Sequence, residues 1–251
     1  MAKVAIVTGG ASGIGYAVAQ SLIESDHVVV IADLNEEVGA KAAKELNCYF
    51  IQADLSQQQD NKRLVEQTVE QFGRVDILVN NAGFQHVCSV EEFPEQTWNT
   101  MISVMLTSPF LLTKYCWPYM KKQNWGRVVN IASVHGQVAS PFKAAYIAAK
   151  HGLVGLTKTS ALEGGECGIT VNTICPAYVR TPLVDKQIAD QAANHDIEPD
   201  EVITKIMLKN AAIKRMIDPE EIGQLVNYVV SDAARSFTGS NLTIDLGWTA
   251  Q

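Results

Sequence analysis

Tyr146 and Lys150 lie four residues apart in the run Ser140-Pro-Phe-Lys-Ala-Ala-Tyr-Ile-Ala-Ala-Lys150, and a helix there puts a phenol and an ammonium on one face. A free phenol loses its proton near pH ~10 and is a poor base at neutral pH unless a nearby cation favours the phenolate. Lys150 supplies that cation. Taken alone, the pair fits an ordinary amphipathic helix better, so its chemical reading rests on the rest of the chain. Lys143, three residues before the tyrosine, shares its face if the helix begins there and could hold a carboxylate. At ~4 Å and an effective dielectric near 20 such a pair gains about 4 kcal/mol before desolvation.

A second group of residues has phosphate chemistry. Thr8-Gly-Gly-Ala-Ser-Gly-Ile-Gly15 follows an apolar run and opens an amphipathic one. Glycines there permit a tight turn and let backbone N–H groups approach a pyrophosphate at the positive end of a helix. Thr8, Gly9, Ser12, Gly13, Ile14 and Gly15 are the candidate contacts. Asp33 closes the next apolar run 18 residues after Gly15, where a carboxylate accepts hydrogen bonds from both ribose hydroxyls and repels a 2′-phosphate. That favours NAD over NADP. Asp33 could equally cap the following helix, since Asn35 lies two residues on. Asp54, beside Leu55, carries the same ambiguity after the third run.

These residues need a scaffold that brings strand ends together. Val4 to Thr8, His27 to Asp33, Tyr49 to Ala53, Val75 to Asn80, Arg127 to Ala132, Ile169 to Ile174 and Leu242 to Ile244 read as strands, with helical segments between them. Apolar strands alternating with helices indicate a parallel sheet covered on both faces. The expected fold is therefore α/β, a single Rossmann-type doubly wound domain over residues 1–251 with seven parallel strands. Pro176 to Pro219 breaks the rhythm with four prolines and helical stretches near Leu183 to Ala193 and Pro199 to Asn210. A helical lid over about residues 177–215 and a pair of plain surface helices are equally compatible with it.

Composition excludes several classes of function. The 251 residues are 47% hydrophobic, ample for a sizeable core. A net charge of −7 without Lys/Arg clusters argues against nucleic acid. Five scattered cysteines, Cys48, Cys88, Cys116, Cys167 and Cys175, suit neither a disulfide framework nor a zinc site, and no metal is expected. Met1 to Thr8 is too short an apolar run for a signal peptide, and no later run has the ~18 apolar residues of a membrane span, so a cytoplasmic protein is expected.

With Asn80-Asn-Ala-Gly83 after the fourth strand and Ser133 after the fifth, the chain resembles the short-chain dehydrogenase/reductase family from end to end. The resemblance implies an acid/base role for Tyr146, a ribose-binding and pKa-lowering role for Lys150, and a hydrogen bond from Ser133 to the reacting oxygen. It assigns Asn81, Ala82 and Gly83 to the adenine half of NAD, and Pro176, Val179 and Thr181 to the nicotinamide. Further runs narrow the match: Gly83-Phe-Gln-His86, Ile131-Ala-Ser-Val-His-Gly136, Ala145-Tyr-Ile-Ala-Ala-Lys-His-Gly152, Arg180-Thr-Pro-Leu-Val-Asp-Lys-Gln-Ile188 and Gly247-Trp-Thr-Ala. They resemble members acting on the small anion D-3-hydroxybutyrate, with acetoacetate as product. That match adds Gln85, His135, Gln187 and Trp248 to Lys143 as a carboxylate pocket and methyl slot. The family resemblance implies a homotetramer built on helices near Thr97 to Lys121 and Lys143 to Glu163 and on the last strand.

Three positions depart from the family pattern. Met105 stands where the family usually has an Asn whose side chain stabilises an irregular helical turn and whose carbonyl holds a water in a proton path. Ala177 and Leu246 each stand where Gly is common, after Pro176 and Asp245.

Overall fold

The computed structural model describes residues 2–195 and 197–250. Short runs that are apolar on both faces can only be satisfied between two helical layers. The seven strands are β1 (Val4–Thr8), β2 (Val28–Asp33), β3 (Tyr49–Gln52), β4 (Ile77–Asn80), β5 (Gly126–Ile131), β6 (Ile169–Pro176) and β7 (Asn241–Ile244). All pair in parallel, in the order β3-β2-β1-β4-β5-β6-β7. The central strands β1, β4, β5 and β6 are buried throughout, whereas the edge strands β3 and β7 are buried at no position.

The helices are α1 (Gly13–Glu24), α2 (Glu36–Leu46), α3 (Gln58–Phe72), α4 (Glu95–Ile102), α5 (Ser108–Gln123), α6 (Ala144–Gly164), α7 (Pro182–His195), the short α8 (Pro199–Glu201) and α9 (Pro219–Val230). Side chains alternate across each strand, so neighbouring residues feed opposite layers. Val7 of β1 packs with Val18 and Leu22 of α1 and Ile222 and Val226 of α9. Ile6, its neighbour, packs with Leu64 of α3, Leu112 and Met120 of α5 and Ala161 of α6. Leu111, Leu112, Leu153 and Val154 belong to this monomer core. Phe110 and Leu162 are the large exposed apolar residues of α5 and α6.

The order of the sheet reverses between β1 and β4, which opens a crevice at the carboxyl ends of the strands. The segment between β6 and α9 stands over that crevice. It leaves and re-enters the fold through one bridge, Val179 beside Ile217, where Ile217 N–H donates to the Tyr178 carbonyl (3.0 Å) and Arg180 N–H to the Ile217 carbonyl (2.9 Å). Its far end, at Ala212 and Ile213, donates two backbone hydrogen bonds to the Leu246 carbonyl. Leu246 sits at φ +58°, in the left-handed region, where a bulky residue costs roughly 1–2 kcal/mol. Its burial against the core offsets that strain.

Candidate active site

The crevice is a cavity of about 570 Å3 that runs from Asp33 at one end to Trp248 at the other. Gly9 and Gly13 adopt φ of +61° and +53°, the conformation that glycine tolerates and other residues resist. Ser12 occupies the cap position of α1 but makes no side-chain cap bond. The first-turn amides of α1 are therefore free for an anion, and Gly9, Ser12, Gly13 and Ile14 line the cavity. Thr8 and Gly15 lie behind that wall and do not line it. The Thr8 hydroxyl accepts from the N–H groups of Asn81 (2.9 Å) and Ala82 (3.1 Å), and Asn81 Nδ2 donates to the carbonyls of Thr8 (2.9 Å) and Gly9 (3.2 Å). A Cβ on Gly15 would stand 2.1 Å from the Gly9 carbonyl oxygen. These residues shape the cradle from behind, with Asn81, Ala82 and Gly83 also on its wall.

Asn35, not Asp33, caps α2, accepting from Val38 N–H at 3.1 Å. Asp33 is thereby released from capping. Its carboxylate accepts two long hydrogen bonds, from Ala11 N–H and Asn35 N–H (both 3.3 Å), and faces the cavity. Asp54 turns its carboxylate onto Ser56, accepting from the amide at 2.9 Å and the hydroxyl at 2.7 Å, while it and Leu55 also line the wall.

Helix α6 carries the reactive pair. Lys150 is 4% exposed, and its Nζ donates to the Ile131 carbonyl (2.7 Å) and lies 5.5 Å from the centre of the Tyr146 ring. Burial pushes the phenol up to about 12, against a lowering hydrogen bond with Ser133. Burial also brings the Lys150 ammonium down to about 8. Desolvation is the largest influence on both groups. Ser133 sits at the end of β5 in extended backbone, and its hydroxyl accepts from His135 N–H (3.1 Å).

A buried polar ladder sets α6 against the sheet. Asn80 Nδ2 donates to Asn130 Oδ1 (2.8 Å), Asn130 Nδ2 to Thr157 Oγ1 (2.7 Å), and Thr173 Oγ1 to Thr157 Oγ1 (2.8 Å). Asn80 pairs with Asn130, and Asn130 with Thr173, in strand register. The ladder therefore fixes the height of α6 over three strands. Its signal in the sequence is polar residues, Asn80, Asn130 and Thr173, inside otherwise apolar strands.

The opposite end of the cavity has carboxylate-binding character. Gln85, Ser133, His135, Lys143, Tyr146, Gln187 and Trp248 all line it, together with Tyr178, which sequence reasoning passed over. Lys143 is not in the helix but precedes it as the cap residue, with φ −128°. Its Nζ donates to Tyr178 Oη at 3.3 Å. The Gln85 side-chain oxygen is buried without a hydrogen-bond partner among the described residues, an acceptor awaiting a donor. His135 shares a 2.8 Å hydrogen bond with Ser140 Oγ and meets Tyr146 and Trp248 edge to face. Burial, followed by the nearby Lys143 charge, brings its imidazole down to about 4, so it is neutral at pH 7. Pro176, Val179 and Thr181 line the stretch between the two ends.

Between α4 and α5 the helix widens into a π turn, Ser103–Thr107, with Met105 at its centre and fully buried. Met105 packs with Met101, Ala145, Ala149 and Tyr146. A Cβ on Gly83 would meet its sulfur at 3.1 Å. The irregular turn is thus present without an Asn side chain, held by apolar packing. Ala177 requires no left-handed backbone.

Residues 3–192 match the family model described as short chain dehydrogenase. The chain belongs to that family. It is 44% identical to a D-beta-hydroxybutyrate dehydrogenase of Rhizobium meliloti, over 100% of both chains. It is 39% identical to the enzyme of that name from Cupriavidus necator, over 99% of this chain and 98% of the relative. A crystal structure of an actinorhodin polyketide ketoreductase variant with NADPH superposes with a TM-score of 0.94 at 32% identity, covering 100% of this chain and 98% of that one.

Proposed function

We propose that the protein is an NAD-dependent dehydrogenase that interconverts D-3-hydroxybutyrate and acetoacetate. The observation that carries this reading is the single cavity onto which Ser133, Tyr146 and Lys150 open beside the Lys143 ammonium. A short hydroxy acid needs both groups at once, one for its alcohol and one for its carboxylate. The two relatives named D-beta-hydroxybutyrate dehydrogenase support the same substrate.

Bound NAD supplies the hydride acceptor and, when oxidised, a positive ring. Glycine-turn amides would hold its pyrophosphate and Asp33 its adenosine ribose; Lys150 would hold the other ribose, and Pro176, Val179 and Thr181 the nicotinamide. Tyr146 exchanges a proton with the substrate oxygen while Ser133 hydrogen-bonds that oxygen. With its phenol raised to about 12, Tyr146 stays protonated at neutral pH and can donate to the alkoxide that develops as a ketone is reduced. In the oxidising direction it needs positive charge beside it, which Lys150 retains below pH about 8. The helical segment over residues 177–215 acts as a lid that excludes water.

A nicotinamide-linked short-chain enzyme can use either cofactor, and the solved neighbour was crystallised with NADPH. Asp33 favours NAD here, because a 2′-phosphate would meet its carboxylate. Phe110, Leu162 and Phe237 are exposed apolar residues on or next to the elements expected to form a homotetramer. The free cysteines suit a reducing cytoplasm.

The test is formation of NADH with each enantiomer of 3-hydroxybutyrate, repeated with NADP. Turnover of the D form with NAD is expected, and Asp33→Ser should admit NADP. Equal use of a neutral secondary alcohol, or preference of the unaltered protein for NADP, would sink the reading.

A further inference from the structure

Lys143 is poorly anchored for a residue asked to fix a substrate. Its backbone lies outside α6, and its long side chain carries ~2 kcal/mol of rotamer entropy. Among the described residues its side chain has one hydrogen-bond partner, the Tyr178 hydroxyl, and no ion pair is recorded for it. The Lys143 ammonium also lies 5.6 Å from the centre of the Tyr178 ring. Tyr178 is held on three sides. Its carbonyl accepts from Ile217, its ring stacks on Trp248 at 6.0 Å and 25°, and it packs against the cluster containing Val184, Ile188 and Met207. A rigid phenol thus steadies a flexible cation.

We propose that the Tyr178 hydroxyl forms the second half of the carboxylate site, holding Lys143 in place and donating its own proton to a carboxylate oxygen. An ammonium has donors only, so Tyr178 Oη must act as acceptor toward Lys143. Its O–H hydrogen is then left over, and Tyr178 lines the cavity beside Gln187 and Trp248. A carboxylate placed there would receive one charge-assisted bond from Lys143 and one from Tyr178. Tyr178 also joins this site to the bridge at Ile217, so the docked position of the helical segment sets where the cation stands.

The inference rests on the reading that Lys143 binds the substrate carboxylate, and the experiment separates the two. Tyr178→Phe, Lys143→Ala and the double variant would be assayed on D-3-hydroxybutyrate and on its methyl ester, which keeps the alcohol and removes the charge. Phenylalanine keeps the ring, so stacking survives, and unchanged NADH binding would confirm an intact fold. Tyr178→Phe should raise KM for the acid about fivefold with kcat within about twofold, and leave the ester unaffected. Its effect should shrink in the Lys143→Ala background, because the two groups act as a unit. If Lys143→Ala raises KM for the acid while Tyr178→Phe leaves it unchanged, the carboxylate reading stands and Tyr178 has no part in it. An equal loss on acid and ester would make Tyr178 a packing residue and overturn the proposal. If Lys143→Ala affects neither substrate, both readings fall.

Discussion

The two ends of the cavity are built by different means. At the glycine turn the contacts are backbone amides, held by Thr8 and Asn81 from behind and packed too closely for an added carbon at Gly10 and Gly15. At the Lys143 end the contacts are side chains from separate loops and helices, held by aromatic stacking and single hydrogen bonds. Backbone recognition at such glycines leaves little room for substitution and carries little selectivity among dinucleotides. Side-chain recognition can be retuned one residue at a time. A chain of this design can therefore keep one cofactor and change substrates.

The reacting centre, where both ends meet, is the most sensitive point of the cavity. Tyr146→Phe should lower turnover by ~10²–10⁴-fold, the usual worth of a positioned acid/base, while NADH fluorescence titration shows binding nearly unchanged. Loss of NADH binding would show that the phenol belongs to the cofactor end. Next, Gly15→Ala should destabilise the fold by about 1–3 kcal/mol and weaken NADH binding, because its new Cβ would strike the Gly9 carbonyl. Denaturant unfolding and the same titration read both effects.

The pH dependence sharpens the contrast further. Burial holds His135 at about 4 in the folded protein, below the ~6.5 of an unfolded histidine. Between those values the unfolded chain binds more protons, so the stability from His135 is intact above pH ~6.5 and is lost as pH falls toward 4. Unfolding at pH 7 and pH 5 should show this decline, and His135→Gln should reduce it. An unchanged slope would mean that His135 titrates freely. The smallest effect is expected from Met105→Asn. The π turn exists already, so turnover should change by less than about threefold, under 1 kcal/mol of barrier. A large gain would show that apolar packing holds the turn in an impaired form.

The backbone-built end was the more legible in the sequence. Strand runs, glycine spacing and Asp33 are local signals, and the seven strands appear in the places their β-branched runs indicate. The Tyr146–Lys150 spacing was equally local. Its electrostatics were not, because the Ile131 carbonyl that holds Lys150 and the burial that shifts both groups come from other elements. The placing of Lys143 on the Tyr146 face was conditional on where α6 starts; Lys143 lines the same cavity, but from the residue before the helix. Tyr178 was missed although it sits between Ala177 and Val179 in a stretch already singled out; only the fold brings it to Lys143. The π turn interrupts what reads as one helix from Thr97 to Lys121, because a widened turn leaves the apolar period almost unchanged.

The bridge between Val179 and Ile217 has an architectural consequence. Because the two ends of the intervening segment stand side by side, its length is uncoupled from the geometry of the sheet. Closing a longer segment over the same gap costs only ~0.6 kcal/mol per doubling. That pair of residues is the natural junction for exchanging the segment with that of another enzyme while the glycine turn and Asp33 stay in place.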